Sequence, residues 1–125
     1  MLMNPQYIGN HILRLDSVDS TNNYAAKLLN QTKIPFGTVI MAQYQFEGRG
    51  QRGSQWSSEN AKNLTFSILI DGTQLKNIPV FLLSKCAAIS IKNIIGQFTK
   101  ENVSLKWPND IYVDTKKIAM LIILY

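Results

Sequence analysis

Two arginines alternate with three glycines in the segment Gly48-Arg49-Gly50-Gln51-Arg52-Gly53. Glycines let backbone N–H groups come close to an anion, and guanidinium groups offer forked donors that match phosphate and carboxylate oxygens. The segment therefore suits a phosphate-bearing small molecule. As a bare pattern it also matches the dinucleotide fingerprint G-x-G-x-x-G, which requires a strand before it and a helix directly after it. The run Gln55-Trp56-Ser57-Ser58-Glu59-Asn60 shows no helical period, and no Lys-Ser or Lys-Thr pair closes the segment in the manner of a P-loop. Both nucleotide patterns fail, and on this segment alone a solvated loop with ordinary surface arginines stays open.

Three other clusters carry polar chemistry. Ser20-Thr21-Asn22 follows Asp16 and Asp19 and precedes a helical pattern, where its simplest reading is a helix N-cap. Lys106-Trp107-Pro108-Asn109-Asp110 reads as a strand end running into a turn, and Lys117 as a hairpin lysine. His11 has no metal-ligand companions in sequence. Cys86, the sole cysteine, reads as a packed helix residue, so neither a disulfide frame nor a cysteine-based metal site can be built.

The elements that must position these residues follow from hydrophobic period. His11 to Leu15 reads as a short strand, and Asp16 to Asn22 as a polar run before a helix that buries Tyr24, Ala25, Leu28 and Leu29. Pro35 and Gly37 stop that pattern, and Thr38 to Tyr44 follows as a strand buried on both faces. Gln45 to Asn63 is polar at nearly every step and reads as a long loop; loops of more than about a dozen residues in compact domains tend to be functional. Leu64, Phe66, Ile68 and Ile70 alternate as a strand does. From Pro79 to Phe98, Leu83, Ala87, Ile91, Ile94, Ile95 and Phe98 keep a helical period. Val103 to Trp107 reads as a strand, and Ile111 to Val113 pairs with Ile118 to Leu124 across Asp114 to Lys117.

The bulk numbers set the frame. A chain of 125 residues, 46% hydrophobic and 17% charged, fits one globular domain. Net charge is +5, with Lys and Arg scattered singly, which favours small anionic ligands and argues against a nucleic-acid partner. Met1 to Asn10 lacks a basic-then-apolar leader, and no apolar run approaches the ~20 residues of a membrane span, so a cytoplasmic protein with no membrane association is expected. Ile118 to Tyr125 is an apolar strand with no polar tail; this reads as a truncated chain, or as an edge that pairs with a second copy in a homodimer.

Taken together, Asp19-Ser20-Thr21-Asn22, Gln45 to Trp56 with its GRGQRG loop, the KWPND string at Lys106 to Asp110, and Lys116-Lys117-Ile118-Ala119 resemble the catalytic domain of biotin protein ligases, the biotin–acetyl-CoA-carboxylase ligases. The resemblance extends from about Leu13 to Ala119. It implies an α+β fold, a mixed β-sheet flanked by helices similar to class II aminoacyl-tRNA synthetases, without the DNA-binding domain that some members carry ahead of it. It implies a two-step ligase that joins biotin to ATP as biotinyl-5'-AMP, with Mg2+ accompanying the substrate. The biotin then passes to a lysine on the biotin carboxyl carrier domain of acetyl-CoA carboxylase or a related carboxylase.

By the same resemblance, Ser20, Thr21, Asn22 and Gln45 line the biotin pocket, and Gly48, Arg49, Gly50 and Gln51 lie over biotin's carboxylate and the adenylate phosphate. Arg49, Arg52, Trp56, Asn109, Asp110 and Lys117 attend the nucleotide. Lys117 is the catalytic cation that neutralises the α-phosphate, with Arg52 as a second. Two departures stand out. Many members have arginine where this chain has Gln51, which leaves Arg52 to take the phosphate contact. The family also reads Lys-Ile-Ala-Gly where this chain reads Lys117-Ile118-Ala119-Met120. A non-catalytic chain that binds ligand, or self-associates through its last strand, is the alternative; a relative of lipoate ligases fits the arginine-glycine loop less well.

Overall fold

A computed structural model describes residues 8–124. The reading of Met1 to Asn10 therefore falls largely outside the described residues, as does Tyr125 at the end of the last expected strand. The chain divides into two compact units, Met1–Gln74 and Leu75–Tyr125. No described helix is long and apolar enough to cross a membrane.

The first unit is built on a three-stranded mixed sheet. Strand β1 (Ile12–Val18) runs parallel to β2 (Val39–Gln45), and β5 (Thr65–Ile68) lies antiparallel on the other side of β2. A parallel pair needs a crossover, and helix α1 (Thr21–Gln31) supplies it. β2 is the central strand and reads as expected, with Val39, Ile40 and Ala42 buried. β1 continues past Leu15 through the polar run expected to precede the helix: Ser17 pairs with Tyr44 and Val18 with Gln45. Its ladder to β2 outweighs the turn preference of Asp16 and Ser17. Of the expected helix face, Ala25 is buried and Tyr24 and Leu28 are partly so, while Leu29 is 54% exposed.

β5 forms where alternation places it, but the apolar set is on the open side. Phe66 is 42% exposed and Leu64, Ile68 and Ile70 are exposed too, while Ser67 between them is buried. Between β2 and β5 the expected loop carries structure of its own. β3 (Gly48–Arg49) pairs with β4 (Gln55–Trp56), joined by a 3-10 turn at Gln51–Gly53.

The second unit packs helix α2 (Val80–Ile95) with an antiparallel sheet of β6 (Val103–Lys106), β7 (Asp110–Val113) and β8 (Lys116–Met120). Pro79 is the N-cap of α2, where its missing N–H costs nothing. Ala88 is buried on this helix; Leu83, Ala87, Ile91 and Ile95 are partly so, whereas Ile94 and Phe98 are exposed. Cys86 is exposed, contrary to the packed position its apolar neighbours suggest. The β7–β8 connection is tighter than expected. Val113 pairs with Lys116 around a two-residue turn in which Asp114 takes a left-handed φ of 51°, so Lys116 and Lys117 belong to β8. β8 ends at Met120, and Leu121 to Leu124 are not strand. The single mixed sheet of the resemblance thus appears as a mixed sheet in one unit and an antiparallel sheet in the other.

Candidate functional site

In the first unit the end of β2 and the start of α1 share a buried polar cluster. Ser20 is the N-cap of α1, accepting from the Asn23 amide at 3.4 Å. Two residues toward the N-terminus, the amide of Thr21 donates to Gln45 Oε1 at 3.0 Å, a contact across 24 residues. A backbone N–H can only donate, so this bond fixes which way the Gln45 amide faces: oxygen to the helix, Nε2 away from it. Nε2 is the atom that a Cβ on Gly48 would meet at 2.6 Å. Gln45 is buried, and among the described residues Nε2 has no hydrogen-bond partner. No side-chain nitrogen or oxygen among the described residues is both buried and without a partner, so Nε2 is an unpartnered donor open to solvent.

Gly48 accounts for the close approach. It pairs with Trp56, and a Cβ there would stand 2.3 Å from the Trp56 carbonyl oxygen, closer than any side chain tolerates. Beside this pair opens a cleft of about 580 Å³ whose lining includes Gln45, Gly48, Arg49, Ser54, Trp56 and Ser58. Gly50, Gln51 and Arg52 are not among its lining residues. The Gly50 amide donates to the Ser54 carbonyl and the Ser54 amide to the Gln51 carbonyl at 3.0 Å, so the turn uses these groups on itself. Arg52 has φ 54° and ψ 37°, a left-handed conformation, and Gly53 follows with φ 81°.

Asp19 anchors the approach to α1. Asn23 Nδ2 donates to its carboxylate at 3.1 Å and the Glu47 amide to its carbonyl at 2.8 Å. The Asn23 bond first, and the Ser20 backbone N–H second, hold the Asp19 carboxyl below the ordinary carboxylate range.

One member of the cluster escaped sequence reading. Ser67, on β5, donates to Asn22 Oδ1 in a short hydrogen bond and has Thr21 Oγ1 at 2.8 Å. Thr21 Oγ1 in turn stands 3.5 Å from Gln45 Oε1. The only signal for Ser67 in sequence was a small polar residue inside an apolar alternation, which on its own reads as the solvent face.

In the second unit the KWPND string and the lysine of β8 come together. Lys117 Nζ lies 3.0 Å from Asp110 Oδ2. Asn109, buried, donates its side-chain N–H to the Leu121 carbonyl at 2.8 Å, and its own carbonyl accepts from the Leu121 amide at 3.1 Å. That reciprocal pair fixes the chain just past β8, so Asn109 acts on the backbone here. Lys85 Nζ stands over the rings of Phe81 and Trp107, 5.1 and 5.2 Å from their centroids. Among the described residues no three His, Cys, Asp or Glu side chains gather as a metal would need.

Residues 15–122 match the model of the biotin/lipoate A/B protein ligase family. The chain is 31% identical over 120 residues to the bifunctional ligase/repressor BirA of Escherichia coli strain K12, covering 94% of this chain and 36% of that protein. Human biotin–protein ligase is 30% identical over 121 residues, covering 93% of this chain and 17% of its own length. Among solved structures, the biotin protein ligase of Aquifex aeolicus in complex with biotin and ATP superposes with a TM-score of 0.70 at 31% identity. That match covers 86% of this chain and 44% of the Aquifex chain. The chain thus spans a third to a half of the length of these bacterial proteins.

Proposed function

The chain belongs to the biotin/lipoate A/B protein ligase family, and on that premise we propose that it binds biotin and ATP and makes biotinyl-5'-AMP for transfer to a carrier lysine. In the first step a biotin carboxylate oxygen bonds to the α-phosphorus, the bond to the β-phosphate bridge breaks, and pyrophosphate leaves. In the second, the lysine amine attacks the acyl carbon, AMP leaves, and an amide forms with loss of a proton. Both steps join anions or develop charge on phosphate oxygens, which calls for fixed cations and amide donors.

The observation that carries this reading is the Gln45 amide: its oxygen is taken by Thr21, and its Nε2 stands beside Gly48 on a cleft of about 580 Å³. An unpartnered amide donor on a cleft suits a small ligand with carbonyl or carboxylate oxygens. Ser20, Thr21, Asn22, Gln45 and Gly48 to Gln51 are assigned to biotin; Arg49, Arg52 and Trp56 are assigned to the nucleotide from the first unit. Asn109, Asp110 and Lys117 are assigned to the nucleotide from the second, Lys117 as the cation for the α-phosphate. Magnesium belongs to this reading as the counter-ion of ATP, since no cluster of protein ligands among the described residues would hold it independently. The fold assigned with it is the class II synthetase-like sheet.

Incubation of the chain with biotin, ATP, Mg2+ and a biotin carboxyl carrier domain tests the whole reading. A biotinyl mass gain on the carrier lysine is the expected result. Ligand binding without any mass gain or pyrophosphate release would overturn the ligase reading and leave a binding protein.

A further inference from the structure

We infer that Ser67 is a positioning residue for the ligand: its hydroxyl orients Asn22 so that Asn22 offers Nδ2, a donor, to an acceptor oxygen of biotin. The inference rests on the proposed biotin reading and adds to it a residue outside all the motifs.

The argument starts from β5. Ser67 pairs with Ile40, which is fully buried, and Thr65 pairs with Ala42, also buried. A position in that row ordinarily takes an apolar side chain, because burying a hydroxyl without a partner costs free energy. Ser67 is only 9% exposed and spends its hydrogen bonds on the first two residues of α1. A serine hydroxyl carries one proton. Donated to Asn22 Oδ1, it leaves the Ser67 oxygen free to accept from the Thr21 hydroxyl 2.8 Å away. Thr21, Ser67 and Asn22 then form one directed chain that ends on the Asn22 oxygen.

With Oδ1 turned to Ser67, the two hydrogens on Nδ2 are the donors left to the Asn22 side chain, and no described residue accepts them. Gln45 is in the same condition for the same reason: Thr21 takes its oxygen and leaves its nitrogen. Two side chains that could face either way are thus both set with the oxygen engaged and the nitrogen unpartnered, Gln45 on the cleft and Asn22 in the same cluster but outside the cleft lining. The cluster selects a ligand group rich in acceptors, and biotin has two such groups, the cyclic urea oxygen and the carboxylate.

Ser67→Ala removes the group that sets Asn22 and keeps the small volume. Binding of biotin, of 2-iminobiotin, which lacks the urea oxygen, and of biotinol, which lacks the carboxylate, is measured by calorimetry on both chains. Ser67→Ala is expected to weaken biotin about tenfold, the effect of one lost hydrogen bond. It should leave nearly unchanged the affinity for whichever analogue lacks the oxygen that Asn22 contacts. Unchanged biotin affinity, or an equal loss for all three ligands, overturns the inference. Failure of the unaltered chain to bind biotin would instead sink the proposed function. The orientation is then read without ligand by NMR: Overhauser contacts from the Asn22 Nδ2 hydrogens to the Ser67 β-hydrogens overturn it, and their absence beside a slowly exchanging Ser67 hydroxyl supports it. Ser67→Thr keeps the hydroxyl and is expected to restore most of the lost affinity.

Discussion

Asp110 and Lys117 face each other across β7 and β8, carboxylate oxygen to ammonium nitrogen at 3.0 Å, beside the register shift between Ile111 and Tyr112. The pair is partly open to solvent, with side chains 21% and 35% exposed, so its contribution to stability is at most about 1 kcal/mol. Its consequence is placement: the carboxylate holds the cation near the end of the KWPND string. Lys117→Ala is expected to slow pyrophosphate release on the order of 10²–10³-fold, the scale of losing one electrostatic contact to a transition state. Biotin affinity without ATP should stay within about twofold, and a full-rate Lys117→Ala chain would remove Lys117 from the mechanism. Asp110→Asn should lower the rate less and barely move the melting temperature.

The Gln45 amide separates a stability role from a binding role. Gln45→Ala leaves the buried Thr21 N–H without its acceptor and is expected to cost about 1–3 kcal/mol in denaturant unfolding. Gln45→Glu keeps an oxygen for Thr21, and a carboxylate at a helix N-terminus is favourable. It nevertheless replaces the Nε2 donor by an acceptor. Near-normal stability with loss of biotin binding is therefore the expected result for Gln45→Glu, and normal biotin binding would show that the ligand does not use Nε2.

Gly48 admits no side chain. Gly48→Ala would drive a Cβ to 2.3 Å from the Trp56 carbonyl oxygen and 2.6 Å from Gln45 Nε2. Overpacking of this kind typically costs about 1–3 kcal/mol. The strand pair β3–β4 should open, with loss of Trp56 fluorescence change on ligand addition. Gly53→Ala meets no atom within 4 Å but carries a φ of 81°, so its cost should be backbone strain alone.

These residues show what the sequence could and could not reveal. Periodicity found β2, β5, α1 and α2, because buried apolar side chains recur with the period of the element that carries them. It could not say which side of β5 is covered. Alternation of Leu64, Phe66, Ile68 and Ile70 reads as a core face, yet the chain covers the Thr65 and Ser67 side, since Ser67 finds partners on α1. The Ser20 cap was legible from local chemistry, being a three-residue contact. The Thr21–Gln45 and Ser67–Asn22 bonds span 24 and 45 residues, and no local pattern encodes them. The polar stretch after Gln45 reads as loop because the β3–β4 pairing is only two residues long on each side, too short to leave a period.

Acid should loosen the entry to α1. The Asp19 carboxyl is held below its ordinary value near 4 by the Asn23 side chain and then by the Ser20 amide. A carboxyl lowered on folding adds stability above its unfolded value, and that addition is lost as pH falls through the folded value. Unfolding of the unaltered chain and of Asp19→Asn, followed from pH 7 to pH 3, should therefore differ at neutral pH and converge below about pH 4. A difference that persists unchanged at pH 3 would show that Asp19 acts through its shape and not its charge.

Arg52 gives the sharpest test of the loop. A non-glycine residue in the left-handed region costs roughly 1–2 kcal/mol, and Arg52 sits there at φ 54° next to Gly53. Arg52→Gly relieves that strain while removing the guanidinium, whereas Arg52→Ala removes the guanidinium and keeps the strain. If Arg52 serves only the turn, Arg52→Gly should match or exceed the unaltered chain in stability and bind biotinyl-5'-AMP equally well. If it takes the phosphate contact that Gln51 cannot make as a neutral amide, both variants should lose adenylate affinity alike, by about tenfold for one charge-assisted bond, despite their different stabilities. The second outcome is expected. Protection of residues 48–56 from proteolysis by the adenylate should vanish in both variants, and protection that survives in Arg52→Gly would leave Arg49 as the loop's phosphate contact.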